Sequence, residues 1–145
     1  MKCTGPWSME RIEAHLRETA IPLRLACATP SGHPQLLSLW YLWRDGALWC
    51  ATSPGARVVR LVERDPRCGF EVAADAPPYR GVRGRGSATL YRTRGAEVLG
   101  ALLDRYQGGR DTKLARWLLA RAASEVAIRI EPLALASWDF SARMT

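Results

Sequence analysis

The segment from residue 52 to residue 60 combines hydroxyl and arginine side chains at a spacing that suits the binding of an anion. Thr52 and Ser53 lie in a predicted turn, and Arg57 and Arg60 lie in the short helix that follows. Free backbone N–H groups and the positive end of the helix dipole favour a phosphate at such a helix start. The spacing differs from that of a GxxxxGK[ST] loop. Hydroxyls that merely cap the helix are the competing interpretation.

A second feature is a run of residues that is apolar on both faces. Residues 35–43 predict one strand, in which successive side chains point to opposite faces. One face carries Leu37, Leu39, Tyr41 and Trp43, and the other carries Leu36, Trp40 and Leu42, with Ser38 as the one polar interruption. Because a small antiparallel barrel leaves one face in water, this strand needs a covering layer. A helix of the same chain, a partner subunit or a flat aromatic cofactor would supply it.

The cysteines and histidines indicate neither a metal site nor a catalytic nucleophile. Cys27, Cys50 and Cys68 lie in or beside apolar runs, which is typical of buried thiols, and no CxxC pair is present. His15 and His33 are the only histidines. We therefore predict no metal ligands and name no catalytic side chain.

Length and charge narrow the class of protein. The chain has 145 residues and a net charge of +7, from 21 Lys and Arg against 14 Asp and Glu. We expect residues 1–145 to form one domain, with a core that needs no disulfide or metal. The arginines are scattered, so nucleic acid is not the expected partner, although the charge keeps that hypothesis open. With no long apolar run and no signal-like start, a soluble cytoplasmic protein is expected.

Hairpin-linked strands and single helices must position the residues above. Ser8 is predicted to cap the first helix, and Gly84 and Gly86 suggest a bulge or bend. Further strands are predicted at 23–28, 48–52, 68–73, 82–92, 126–131 and 135–140, and further helices at 56–63, 95–106 and 112–123, the last capped by Asp111. This order favours a mainly β fold, an antiparallel barrel of six to seven strands with outer α-helices.

Five short segments follow one another in a family-like order. They are ATPSGHPQ at 28–35, WYLWRDG at 40–46, RDPR at 64–67, PPYRGV at 77–82 and GSA at 86–88. Together they resemble the pyridoxamine 5′-phosphate oxidase-like superfamily, whose split barrels bind flavin or deazaflavin. The resemblance covers about residues 20–92 well and the remainder loosely.

The resemblance implies a homodimer of split barrels with the cofactor in the cleft between subunits. It places Leu37, Ser38, Leu39 and Trp40 along the isoalloxazine ring, Thr52, Ser53 and Arg57 at the ribityl chain and phosphate, and Trp138 within reach of the partner's flavin. The family often has a lysine where this sequence has Val58, and Arg60 would compensate for it.

The implied function is that of an FMN-dependent oxidoreductase with an unassigned substrate. The deazaflavin F420 would fit the same arginine-lined cleft, and a non-catalytic flavin- or haem-binding protein is a further alternative. Pyridoxamine phosphate oxidase itself is not expected, because the family's Arg-x-His segment near the C-terminus has no counterpart after His33. No general acid or base is required, since a flavin carries the hydride itself.

Overall fold

Eight strands form one sheet in the computed structural model, which describes residues 1–145. The strands are β1 (Lys2–Thr4), β2 (Leu23–Ala28), β3 (Pro34–Leu39), β4 (Leu42–Arg44), β5 (Ala47–Thr52), β6 (Arg67–Ala73), β7 (Arg80–Tyr91) and β8 (Val126–Asp139). The helices are α1 (Met9–Glu18), α2 (Arg57–Arg64), α3 (Gly95–Gln107) and α4 (Lys113–Leu119), with short 3-10 turns at Ala122–Ser124 and Ser141–Arg143. The predicted mainly β barrel with outer helices is confirmed, with β1 as a strand that the sequence did not indicate.

The barrel closes at Trp40 and Tyr41. The sheet runs in the order β3-β2-β6-β7-β8-β5-β4, so β3 and β4 are its two edges although they follow each other in the chain. The single strand predicted over residues 35–43 is therefore wrong, because the chain leaves β2 and joins β5 at this point. The Tyr41 hydroxyl lies in the core near the end of α1, within 2.9 Å of the Leu16 carbonyl and 2.7 Å of the Thr19 carbonyl.

The barrel interior is one hydrophobic core. Apolar side chains of α1 and α2, among them Ile12, Leu16, Val59 and Val62, pack into the same buried cluster as the inward residues of the strands. Each fully buried side chain of this size contributes about 1.5–3 kcal/mol of transfer free energy. Cys27, Cys50 and Cys68 belong to that cluster, so the prediction of buried thiols is confirmed.

Helix α3 covers the outside of β5 and β8. Val98 and Leu102 pack against Trp49 and Ala127 there, and α4 packs on α3 through Ala115. Trp40 and Leu42 also contact these outer clusters, so a helix of the same chain covers this part of the apolar run. None of the helices has the length and apolar character that crossing a membrane requires.

Several predicted boundaries need correction. The Ser8 hydroxyl caps α1 as predicted, 3.1 Å from the Arg11 N–H. Thr112, and not Asp111, caps α4, because its hydroxyl accepts the Ala115 N–H at 3.0 Å, and the helix ends at Leu119. The two predicted C-terminal strands are one strand, β8, whose pairing with β7 shifts between Arg85 and Gly86. The predicted irregularity near the glycines of β7 is thereby confirmed.

Candidate functional site

A cavity of about 370 Å³ lies between the ends of β3 and β5 and the helices α3 and α4. We call it the Trp40 cavity. It is lined by Ser38, Leu39, Trp40, Ala51, Thr52, Ser53, Leu99, Leu102, Trp117, Leu118, Arg121 and Glu125. Its volume is in the range of small-molecule sites in proteins. The cavity brings together five of the residues that the sequence singled out, Ser38, Leu39, Trp40, Thr52 and Ser53.

Trp40 forms a rigid wall of this cavity. Its ring stacks on that of Tyr106, with centroids 5.0 Å apart and planes 6° from parallel. The Tyr106 hydroxyl donates to the Ile21 carbonyl at 2.7 Å and accepts the Tyr41 backbone N–H at 3.2 Å. Leu37 packs against the barrel core and does not line the cavity. The Leu37 side chain therefore faces the core, whereas Trp40 faces the cavity.

The hydroxyl turn precedes a helix that has no side-chain cap. Thr52 ends β5, and the Ser53 carbonyl accepts the Ala56 N–H at 3.1 Å. Ala56 is the N-cap of α2 and makes no side-chain capping hydrogen bond. The interpretation of Thr52 and Ser53 as simple helix caps is therefore wrong. The first N–H groups of α2 are left without a side-chain partner, which is the arrangement that favours an anion.

The two arginines of α2 that the sequence singled out, Arg57 and Arg60, do not line the cavity. Arg57 is exposed at the first turn of the helix, and exposed Arg60 donates to the Gly55 carbonyl at 3.2 Å. Arg60 thus folds back on the turn that carries Ser53. Val58 is buried in the barrel core, so this position offers nothing to a phosphate.

Seven residues of the cavity were not predicted as site residues, and three of them, Trp117, Arg121 and Glu125, have aromatic or charged side chains. Trp117 is 57% exposed on α4, and the Arg121 guanidinium carbon lies 4.9 Å from the centre of its ring. Glu125, just before β8, is buried, and burial raises its pKa while the charge of Arg121 opposes that shift. An exposed tryptophan in a polar helix is the one sequence signal that could have indicated this wall.

Trp138 lies outside the Trp40 cavity of its own chain. Val126, at the start of β8, pairs with Thr52, whereas Trp138 pairs with Gly81 near the other end of the strand. The distance along β8 is roughly 40 Å. The Arg83 guanidinium carbon lies 4.1 Å from the centre of the Trp138 ring. Within one chain, Trp138 therefore lies far from the other predicted cofactor-binding residues.

A larger concave surface of about 660 Å³ lies on the outer face of the sheet beside the Trp40 cavity, and one of its lining residues, Arg24, donates to the Ser38 hydroxyl of the cavity at 2.9 Å. We call it the outer groove. Its floor is made of small residues, including Ala26, Gly69 and Ala134, and Arg24, Arg83, Arg85 and Lys2 also line it. Leu36 lies at this surface and is 70% exposed. Leu36 is thus the one apolar residue of the run that no other part of the chain covers.

The titratable side chains do not form a metal centre. No group of three His, Cys, Asp or Glu residues lies close enough together to hold a metal ion. His15 is buried, with Nε2 3.0 Å from the Val72 carbonyl, and burial lowers its pKa. The polar chemistry of the Trp40 cavity therefore rests on Ser38, Thr52, Ser53, Arg121 and Glu125.

Similarity to known proteins is found at the level of structure. No protein-family model and no curated protein matches the sequence. Conserved hypothetical protein Rv2991 from Mycobacterium tuberculosis has 25% identity and a TM-score of 0.81, over 97% of this chain and 89% of that chain. An F420 reductase has 26% identity and a TM-score of 0.69, over 90% of this chain and 97% of its own.

A candidate pyridoxamine 5′-phosphate oxidase from Listeria innocua has 18% identity and a TM-score of 0.68, over 88% of this chain and 95% of that chain. At this identity the likeness concerns the fold. The antiparallel sheet and the outer helices agree with the fold that the sequence motifs implied. The fold of this chain is that of the pyridoxamine 5′-phosphate oxidase-like split-barrel superfamily.

Proposed function

We propose that this protein is an oxidoreductase that holds FMN with its ring system in the Trp40 cavity and its phosphate at the start of α2. The uncapped N-terminus of α2, directly after two cavity residues, is the observation that carries the proposal. Thr52 and Ser53 line the cavity and precede that helix start in the chain, so their hydroxyls suit the polyol chain of the cofactor. Arg57 supplies positive charge beside the phosphate.

The chemistry of the cavity fits a flat ring with polar edges. Trp40 and Trp117 offer aromatic surface, and Ser38, Thr52 and Glu125 offer polar groups. Tyr106 fixes the orientation of Trp40 before any ligand arrives, which reduces the ordering cost of binding. Bound FMN would supply hydride transfer, and the protein would supply orientation and exclusion of water.

A homodimer is part of this proposal, and a second copy of the chain is the occupant we propose for the outer groove. Leu36 is exposed there over a floor of small residues that allows close approach of another backbone. The groove continues along β7 and β8 toward Trp138, which would then reach across to the partner. A stable interface of this kind buries about 1,200–2,000 Å² in total.

F420 is the second candidate cofactor, favoured by the similarity to an F420 reductase at 26% identity. Val58 removes one contact that the family often gives to the FMN phosphate, and the exposed arginines of α2 suit a more anionic tail. Titrating the two cofactors in parallel distinguishes these candidates, because the tighter binder identifies the cofactor.

The deciding experiment compares FMN with riboflavin, which lacks the phosphate. Arg57→Ala should weaken FMN binding about tenfold and leave riboflavin binding unchanged, because only the phosphate contact is lost. Arg64→Ala, at the other end of α2, is the matched control and should change neither. If the wild-type protein binds neither flavin nor F420 at micromolar concentration, the proposed function is wrong. Binding without reduction by any nicotinamide donor would instead indicate the non-catalytic alternative.

A further inference from the structure

Glu125 is a buried acid with an unused hydrogen-bonding oxygen. The residue is 8% exposed, lines the Trp40 cavity, and its Oε2 atom is buried with no hydrogen-bond partner. Leaving such an oxygen unpaired costs stability, because it has lost its contact with water. Most buried polar atoms in proteins have a partner, so this exception calls for an explanation.

The backbone holds Glu125 in place without help from its side chain. Its N–H donates to the Ala122 carbonyl at 3.1 Å. A Cβ added at Gly95 would lie only 1.9 Å from the Glu125 carbonyl oxygen, so α3 packs directly on this backbone. The next residue, Val126, is paired with Thr52 of β5. The backbone that carries the carboxyl group is thus fixed by the fold, which limits where that group can lie.

Charge near the carboxyl group is provided by Arg121. This residue lines the same cavity, but its guanidinium group lies over Trp117, and the two side chains form no salt bridge. Glu125 therefore keeps its accepting capacity for something else in the cavity. An acid without a partner that lines a cavity is better explained by a ligand than by the packing of the core.

We propose that Glu125 is a specificity-determining residue that accepts a hydrogen bond from a ring N–H of the compound bound in the Trp40 cavity. This inference rests on the proposed function, and it specifies which edge of the bound ring the protein recognises. The class of compound is a flat heterocycle with an imide N–H between two carbonyl groups, a group that flavins and deazaflavins share. A cavity without this acid would accept rings that lack the donor.

The test uses lumiflavin and 3-methyllumiflavin, which differ in that N–H and have no phosphate. Wild-type protein should bind lumiflavin about tenfold to a hundredfold more tightly than the methylated ring. Glu125→Leu should bind both with similar affinity, and Glu125→Gln, which keeps an accepting oxygen, should retain part of the preference. Glu131→Gln, on an exposed residue of β8, is the matched control and should behave as wild type.

Thermal unfolding of the ligand-free variants provides a second readout. Glu125→Leu should be at least as stable as wild type, because it removes an unpaired buried oxygen. A large loss of stability in both variants would show a structural role and overturn the inference. So would a preference for lumiflavin that survives in Glu125→Leu. If wild-type protein binds lumiflavin and 3-methyllumiflavin equally, the inference is wrong and the proposed function stands. If it binds neither these rings nor FMN nor F420, the proposed function itself is wrong.

Discussion

Trp40 stacks on Tyr106 with ring centroids 5.0 Å apart, and the Tyr106 hydroxyl donates to the Ile21 carbonyl. One aromatic pair therefore connects α3 to the cavity wall and to the segment that follows α1. The same hydroxyl accepts the Tyr41 N–H, at the point where the barrel closes. Tyr106 thus supports both the site and the closure.

Tyr106→Phe should keep the stacked ring but lose both hydrogen bonds. We expect a loss of about 1–3 kcal/mol in the free energy of unfolding, because the Tyr41 N–H and the Ile21 carbonyl lose their partner. Denaturant unfolding followed by tryptophan fluorescence measures it. Tyr79→Phe, on an exposed ring, is the control and should change stability little. Equal stability of the two variants would contradict the role given to Tyr106.

Trp117→Ala should weaken FMN binding about two- to tenfold and leave the stability of the protein nearly unchanged. The side chain is mostly exposed, but it lines the Trp40 cavity, so its loss removes contact with a bound ring more than core packing. Fluorescence quenching by FMN should also decrease. Leu114→Ala, at another exposed position of α4, is the control. Unchanged FMN affinity would place the ring system elsewhere.

The outer groove provides a test of the proposed dimer. A Cβ at Gly69 would meet nothing closer than the Gly84 carbonyl at 3.7 Å, so a longer side chain there would extend into the groove. Gly69→Arg should give a folded monomer at micromolar concentration, measured by light scattering after size-exclusion chromatography. Gly55→Arg, with open space around it, should remain dimeric. A wild-type protein that is monomeric would contradict the second copy as occupant.

Stability should decrease when the pH falls below about 6.5. Burial lowers the pKa of His15 from 6.5, so the unfolded chain takes up its proton at a higher pH than the folded one. The contribution of neutral His15 to the free energy of unfolding is complete above pH 6.5. It is lost as the pH falls from 6.5 through the pKa of His15 in the folded protein, with a slope of at most about 1.4 kcal/mol per pH unit. His15→Gln should flatten this part of the curve measured by denaturant unfolding, and an unchanged curve in that variant would contradict the assignment to His15.

One thiol in four should react with a thiol reagent in the native protein at pH 8. Cys3 is exposed, while burial raises the pKa of the Cys68 thiol to about 12 and also raises the pKa values of Cys27 and Cys50. Thiolate is the reactive form, so the buried thiols should react only after unfolding. Cys3→Ser should remove the native reaction. Rapid labelling of that variant would show that the barrel opens readily.

Most helices and strands of the barrel, and the cavity residues on β3 and β5, could be predicted from local sequence patterns. Thr52 and Ser53 were found because a strand, a turn and a helix start follow one another within a few residues. Trp40 was noticed because its strand is apolar on both faces, and the family resemblance then implied its place beside the ring. Such signals depend on neighbours in the chain, and a single sequence contains them.

The other cavity residues could not be predicted, because their position depends on packing between distant segments. Glu125 and Trp117 enter the cavity because α4 and the turn after it pack on α3, an arrangement that no local pattern encodes. The break at Tyr41 was missed for a similar reason. A mostly apolar run of nine residues predicts one strand, and only the position of β3 and β4 at opposite edges of the sheet divides it.

Trp40 and Tyr41 are neighbours in the chain with opposite surroundings, since one ring faces the cavity and the other fills the core. The peptide between them is also the joint between the two edge strands. A compound that restrains Trp40 would therefore restrain the joint itself. Amide hydrogens of β3 and β4 should then exchange with solvent more slowly when the compound is bound. Binding in the cavity would thus make the junction between the two edge strands more rigid.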